Sequence, residues 1–133
     1  ELKDVGDIDN VVVNLRFASD AVGNIDMSRN AVYGYDIRTE VLGTEGSLWI
    51  GYLQQTPTLV LTRNGVTHDT VPYFMERFAT AYAEEIRGFV HHILENTSPD
   101  VTGADARAAT AIGIAATRSL DEGRPVQVIE VEK

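Results

Sequence analysis

Apolar residues follow two different spacings along the chain, and the change falls near residue 72. Before it, short apolar runs alternate with polar residues and are separated by Gly, Asn and Asp turns, a pattern typical of strands. The strand-like runs are residues 11–17, 24–29, 35–42, 48–52, 58–62 and 66–71. Because only short turns separate consecutive runs, we expect an antiparallel meander.

Two turn signals support this meander. Residues 43–46 (GTEG) turn the chain between two apolar runs. Asn64-Gly65 lies between Leu61 and Val66 and predicts a two-residue hairpin, because both turn positions need positive φ.

After Pro72 the apolar residues recur at helical spacing and form one stripe. Its members are Phe74, Phe78, Ala81, Tyr82, Ile86, Phe89, Val90 and Ile93. Residues 102–105 (TGAD) predict a capping box at the start of a second, alanine-rich helix, and Gly123 is a favourable C-terminal stop. Valines between residues 126 and 131 predict a last strand or an extended tail.

These elements predict one α+β domain over residues 1–133, with an open, mainly antiparallel β-sheet and helices packed on one face. The other face of the sheet must then meet solvent or a partner. We expect Trp49, with Leu42 or Leu53, to form an exposed apolar patch there. Such patches often mark association surfaces.

The composition narrows the classes of function. The chain has 133 residues and a formal net charge of −9, which disfavours binding to nucleic acid or to an anionic membrane surface. No apolar run is long enough to span a bilayer and the first residues do not resemble a signal peptide, so we expect a cytoplasmic protein. Cysteine is absent, which excludes disulfides, thiolate metal sites and cysteine nucleophiles in this chain.

Common catalytic and cofactor motifs are missing from the sequence. There is no G-x-G-x-x-G, no phosphate-binding loop with a lysine, and no G-x-S-x-G. His91 and His92 are adjacent and would point about 100° apart on a helix, so they cannot share one metal. His91 with Glu95 could offer two ligands, and a solvated pair near a helix C-terminus is the alternative. We expect no metal, bound cofactor or catalytic residue in this chain.

Asp36, Arg38 and Glu40 share one face of the predicted strand 35–42. Asp36 and Glu40 would lie about 13 Å apart, too far to act as an acid pair at one bond. We therefore interpret the three side chains as a charged row used in cross-strand pairing or subunit contact.

Tyr33-Gly34-Tyr35 is the best candidate for a binding site. The glycine allows the backbone to approach another group closely. Tyrosine offers an apolar ring face and a hydroxyl, which suit a polyol or a sugar ring. From residue types alone, the alternative that both tyrosines simply border the core remains open.

Residues 34–48 (GYDIRTEVLGTEGSL) resemble the C-terminal domain of the glucose–fructose oxidoreductase, inositol dehydrogenase and rhizopine catabolism family. Other segments agree with this family in order, so the resemblance covers nearly the whole chain. They are residues 7–11, the helical pattern Phe78, Tyr82, Glu85 and Phe89, and residues 99–107, 115–119 and 123–126.

The resemblance implies a fold and an activity. It implies a C-terminal domain of the dihydrodipicolinate-reductase-like type whose open sheet borders the substrate pocket and builds homo-oligomers. It also implies hydride transfer between NAD or NADP, held by an N-terminal Rossmann domain, and a hydroxyl of a sugar or cyclitol. The Tyr-Gly-Tyr-Asp form resembles the inositol dehydrogenases, in which Tyr35, with Tyr33 beside it, would contact the cyclitol.

The family's catalytic lysine, aspartate and histidine have no match in this sequence, and the Rossmann domain is absent. The chain therefore resembles a C-terminal piece of a longer enzyme, and alone we expect it neither to bind cofactor nor to turn over substrate. One alternative is a non-catalytic module that associates through its sheet. Another is a small standalone enzyme with a cupped sheet, which would need a clustered acid or base that the sequence does not show.

Overall fold

The structure, a computed structural model, describes residues 2–132 and all of their side chains except that of Lys3. The described residues form six strands, two α-helices and two short 3-10 helices. The strands are β1 (Asn10–Arg16), β2 (Val22–Ser28), β3 (Thr39–Gly43), β4 (Gly46–Ile50), β5 (Leu59–Thr62) and β6 (Gly65–His68). The helices are α1 (Phe74–Glu95) and α2 (Gly103–Glu122), and the 3-10 helices are Lys3–Val5 and Val128–Glu130.

The strands pair with their neighbours in sequence, always antiparallel. Among the described residues they form three two-stranded sheets, β1–β2, β3–β4 and β5–β6, rather than one continuous hydrogen-bonded ladder. Backbone hydrogen bonds also join the irregular segments between the hairpins: the Tyr35 N–H donates to the Val71 carbonyl, and the Val71 N–H donates to the Leu53 carbonyl. The predicted α+β class, with antiparallel strands followed by two helices, is confirmed.

The chain divides into two compact units, Glu1–Glu84 and Glu85–Lys133, and the boundary falls inside α1. The first unit contains the three hairpins and the first turns of α1. The second contains the rest of α1, α2 and the C-terminal 3-10 helix.

The turn between β5 and β6 differs by one residue from the predicted turn. Thr62 lies opposite Gly65, so Arg63 and Asn64 form the two-residue loop. Gly65 has φ 123°, but Asn64 is not among the residues with positive φ. The hairpin itself is confirmed, and so is the turn at residues 43–46, where Gly43 lies opposite Gly46.

The predicted strand 35–42 is wrong at its start, because β3 begins only at Thr39. The preceding residues follow an irregular path in which Gly34 has φ 128°. The Tyr35 N–H donates to the carbonyl of Val71 at 2.7 Å, so this backbone is satisfied outside any strand ladder.

Of the two alternatives for the C-terminal valines, a last strand or an extended tail, the strand does not form within the described residues. Residues 128–130 form a 3-10 helix, because polar side chains fold the tail back on itself. The Gln127 N–H donates to the Glu130 carboxylate at 2.8 Å, and the same carboxylate pairs with Arg124 Nη2 at 2.8 Å.

The predicted caps of α2 are confirmed. The Thr102 N–H and hydroxyl both donate to Asp105 Oδ2, at 2.8 and 2.7 Å. At the other end Gly123 adopts the left-handed conformation with φ 63°, and its N–H donates to the Ser119 carbonyl at 2.9 Å.

Few apolar side chains are fully buried among the described residues. The buried apolar residues are Val71, Ala111 and Ala115. On the β3–β4 hairpin, Trp49 lies opposite Glu40 and Leu42 lies opposite Ser47, so Trp49 and Leu42 share one face. They are 72% and 84% exposed, which agrees with the predicted apolar patch, whereas Leu53 is half-buried.

Candidate functional site

The two candidate tyrosines lie on an irregular segment between β2 and β3. We call residues 33–38 the tyrosine loop. A Cβ on Gly34 would lie 2.5 Å from the Val71 carbonyl oxygen and 3.0 Å from the Thr70 hydroxyl. Only glycine therefore lets the tyrosine loop approach this backbone at φ 128°. The close approach expected from the sequence is made to the chain's own backbone.

Tyr35 is held in place by its backbone and by its ring. Its N–H donates to Val71, and its ring packs edge-on against Phe78 with centroids 5.9 Å apart. Phe74 lies on another side at 6.4 Å. The side chain is half-buried, and no group within residues 2–132 hydrogen-bonds its hydroxyl. The ring thus belongs to an aromatic cluster with Phe74 and Phe78.

Tyr33 is 52% exposed, and its hydroxyl donates to Asp36 Oδ2 at 3.0 Å. The Asp36 carboxylate also accepts from Arg38 Nε at 2.8 Å and from Arg38 Nη2 at 2.7 Å. The hydrogen bonds from Arg38 hold the pKa of Asp36 below its usual value, and the bond to Asp36 raises the pKa of Tyr33. Tyr33 is therefore a protonated donor to a charged acceptor.

The predicted charged row of Asp36, Arg38 and Glu40 takes a different form. Arg38 pairs with Asp36, whereas Glu40 lies on β3 opposite Trp49. In the predicted strand, the alternation of side chains put Asp36 on the face opposite Tyr35. It did not predict the hydrogen bond between Asp36 and Tyr33. The signal that could have revealed this link is Gly34, because a glycine between Tyr33 and Asp36 favours a turn over a strand.

Arg77 is a residue that sequence reasoning missed. Its guanidinium lies 4.3 Å from the centroid of the Tyr52 ring and 5.5 Å from that of Phe78. Its Nε is buried and has no hydrogen-bond partner in the part of the chain that the structure describes. Arg77 thus joins the aromatic cluster of α1, which includes Phe78, to the segment that follows β4.

The histidines make local contacts. His68 Nδ1 hydrogen-bonds the Asp69 carbonyl at 2.5 Å, and His92 Nδ1 hydrogen-bonds the Thr97 hydroxyl at 2.8 Å. The rings of His91 and His92 are tilted by 56° to each other, with centroids 5.8 Å apart. Over residues 2–132, no three His, Asp or Glu side chains come together as a possible metal site.

The first turns of both α-helices are unfavourable places for a phosphate. Each helix carries a carboxylate in its first turn, Glu76 in α1 and Asp105 in α2, where a bound phosphate would need free N–H groups and no negative charge.

None of the helices within the described residues is long and apolar enough to cross a membrane.

The fold and the tyrosine loop define a class of protein. It is an α/β domain in which antiparallel hairpins precede two helices. Residues 2–128 match the family described as "Oxidoreductase family, C-terminal alpha/beta domain", and the chain belongs to this family. The family resemblance stated from the sequence is confirmed.

The relatives include inositol dehydrogenases. The chain is 39% identical over 127 residues to the scyllo-inositol 2-dehydrogenase (NAD(+)) of Bacillus subtilis, covering 96% of this chain and 37% of that protein. It is 39% identical over 132 residues to the myo-inositol 2-dehydrogenase of Thermotoga maritima, covering 98% of this chain and 40% of that protein.

A solved structure shows the same fold with ligands bound. The crystal structure of scyllo-inositol dehydrogenase from Lactobacillus casei, with bound cofactor NAD(H) and scyllo-inositol, matches with a TM-score of 0.91. The identity is 28%, over 96% of this chain and 38% of that one. The chain thus spans about two fifths of the length of these relatives.

Proposed function

We propose that the intact protein carrying this chain oxidises a CH–OH group of a cyclitol with NAD or NADP, as a myo-inositol 2-dehydrogenase does. Relatives named as dehydrogenases of both scyllo- and myo-inositol, each 39% identical over nearly the whole chain, support this substrate class. We also propose a cytoplasmic location for the intact protein.

In this proposal, the chain binds and orients the substrate and another part of the intact protein holds the dinucleotide. The first turns of α1 and α2 carry Glu76 and Asp105, which disfavours a phosphate there, so we assign no step of the hydride transfer to this chain. Their contribution is a hydrogen-bonding surface beside the reacting hydroxyl, formed by Tyr35 and Tyr33.

The observation that carries the proposal is the state of Tyr35. Its ring is fixed by Phe74 and Phe78, and its hydroxyl has no partner within residues 2–132. A fixed aromatic ring with a free hydroxyl loses little conformational entropy when a polyol binds. Tyr35 can therefore donate to, or accept from, a substrate hydroxyl while its ring covers the C–H face of the cyclitol.

The test is polyol-dependent reduction of NAD and of NADP by the intact protein, with myo-inositol, scyllo-inositol and glucose compared. Tyr35→Phe should raise KM for the cyclitol about two- to tenfold, because it removes one hydrogen bond of about 0.5–1.5 kcal/mol. Tyr82→Phe is the matched control, since Tyr82 also packs against Phe78 but is not assigned to the substrate.

The contrary result would be an intact protein that reduces neither dinucleotide with any of these polyols. It would favour the alternative function, a non-catalytic module that associates through its sheet. One observation supports association in either case: Trp49 and Leu42 lie exposed on one face of the β3–β4 hairpin. We propose that this face joins copies of the protein into a homo-oligomer.

A further inference from the structure

Asp36 is a nearly buried carboxylate at the centre of the tyrosine loop. Its side chain is 10% exposed, and it accepts hydrogen bonds from the Tyr33 hydroxyl and from two nitrogens of Arg38. A carboxylate with so little exposed surface is costly unless its oxygens accept hydrogen bonds. Here the Arg38 pair is bidentate, the strongest and most directional form of carboxylate recognition.

Arg38 is itself anchored to the segment after β4. A Cβ on Gly51 would lie 2.6 Å from Arg38 Cγ and 2.9 Å from the Ile37 carbonyl oxygen. The stem of Arg38 therefore lies directly against the backbone at Gly51. Because Arg38 is held there, the carboxylate that it binds is held as well.

The tyrosine loop thus has two separate anchors. Gly34 and Tyr35 are fixed to the backbone of Val71, and Asp36 is fixed through Arg38 to the segment at Gly51. The recorded hydrogen bond of the Tyr33 hydroxyl is the one to Asp36. Asp36 is therefore the group that sets the position and the proton direction of that hydroxyl.

We propose that Asp36 is a positioning residue that holds the Tyr33 hydroxyl with its proton committed to the Asp36 carboxylate, so that Tyr33 can only accept a hydrogen bond from a polyol hydroxyl. This inference rests on the proposed function. The inference adds a substrate preference to the proposed function. The substrate hydroxyl that contacts Tyr33 must be a donor, whereas the one that contacts Tyr35 can be either donor or acceptor.

The preference defines the chemical class of substrate more closely. A cyclitol with free hydroxyls satisfies both tyrosines. A mono-O-methyl cyclitol whose ether oxygen lies at Tyr33 has no proton to donate there. Its complex therefore lacks the hydrogen bond to Tyr33 and is weaker by about the free energy of one hydrogen bond.

The experiment uses Asp36→Asn, Tyr33→Phe and the double variant of the intact protein. Asparagine keeps the shape of aspartate but removes the charge that fixes the proton of Tyr33. Each single change should raise KM for the cyclitol about three- to tenfold with kcat changed less than about twofold, since one hydrogen bond of the bound state is weakened. The double variant should be no worse than the poorer single variant, because both changes break the same contact.

Asp69→Asn is the matched control for a merely structural effect. The Asp69 carboxylate also has a lowered pKa, caused first by its hydrogen bond from the Thr56 hydroxyl, and it also ties a loop to a strand end. The Asp69→Asn variant should lower the midpoint of unfolding as Asp36→Asn does. It should leave KM for the cyclitol unchanged. Equal effects of the two aspartate variants on KM would overturn the proposal.

A substrate-free readout separates this inference from the proposed function. The phenolate absorbance of Tyr33, obtained as the difference between the protein and its Tyr33→Phe variant, should titrate at lower pH in Asp36→Asn than in the Asp36 protein. An unchanged titration would show that Asp36 does not hold Tyr33, even if cyclitol oxidation is observed. Absence of cyclitol oxidation with the expected titration would instead reject the proposed function and leave the Asp36–Tyr33 link in place.

Discussion

Gly34→Ala tests the contact that shapes the tyrosine loop. At φ 128° any side chain is strained, and the new Cβ would also lie 2.5 Å from the Val71 carbonyl oxygen, a backbone atom that cannot rotate away. The strain costs about 1–3 kcal/mol. Forcing atoms into a filled site costs about a further 1–3 kcal/mol. We therefore expect the free energy of unfolding of the intact protein to fall by about 2–6 kcal/mol.

Gly65→Ala separates the two contributions. Gly65 has φ 123°, close to that of Gly34, but a Cβ there meets no atom within 4 Å. It should therefore show the backbone strain without the clash, a loss of about 1–3 kcal/mol. Equilibrium denaturation with a common m-value measures both changes.

The difference between the two variants is the cost of the approach to Val71. A Gly34→Ala protein no less stable than Gly65→Ala would refute the reasoning, because it would show that the tyrosine loop does not lie against Val71. In the expected case, KM for the cyclitol also rises in Gly34→Ala, since the clash displaces the Tyr35 N–H from its 2.7 Å bond to the Val71 carbonyl.

Two further predictions concern the tail and the apolar patch. Arg124 lowers the pKa of Glu130 from 4.5 to about 2, so the stabilisation from Glu130 is present above pH 4.5 and is lost as the pH falls through about 2. Glu130→Gln should abolish this part of the acid dependence of the melting temperature, and an unchanged profile would contradict it. Trp49→Ser should weaken self-association in sedimentation experiments by roughly 2 kcal/mol, about thirtyfold in Kd. Leu120→Ser, at an exposed position of α2, is the control, and an oligomer unaffected by Trp49→Ser would reject the proposed interface.

The elements that the sequence predicted well are those determined by local rules. The capping box at Thr102 and Asp105, the stop at Gly123 and the hairpin turns depend on residues a few positions apart. For the same reason the 3.6-residue spacing of the apolar stripe was enough to predict α1.

The elements that sequence reasoning missed are determined by contacts between residues far apart in the chain, or by charged side chains. Residues 35–38 alternate like a strand, but the fit of Gly34 against Val71 joins segments far apart in the sequence. The tail contains valines at strand-like spacing, but the hydrogen bonds of Glu130 to Arg124 and Gln127 bend it into a helical turn.

The candidate site was predictable only in part. Tyrosine chemistry and the flanking glycine were enough to select Tyr33 and Tyr35, which remain proposed contacts. The link from Tyr33 to Asp36 was hidden, because strand alternation assigns Asp36 to the wrong surroundings once the backbone turns at Gly34. Arg77 gave no signal, since a basic residue on a helix is usually solvated.

Each two-stranded sheet has two open lateral edges. Within the described residues, the backbone donors and acceptors along these edges have no strand to pair with. Such edges are templates on which another extended chain can add a strand, and the apolar strand faces beside them favour aggregation. While this stretch is being synthesised, its hairpins can form early because their pairings are local. Until other surfaces cover them, the open edges of these hairpins are therefore sites at which a second extended chain could pair wrongly.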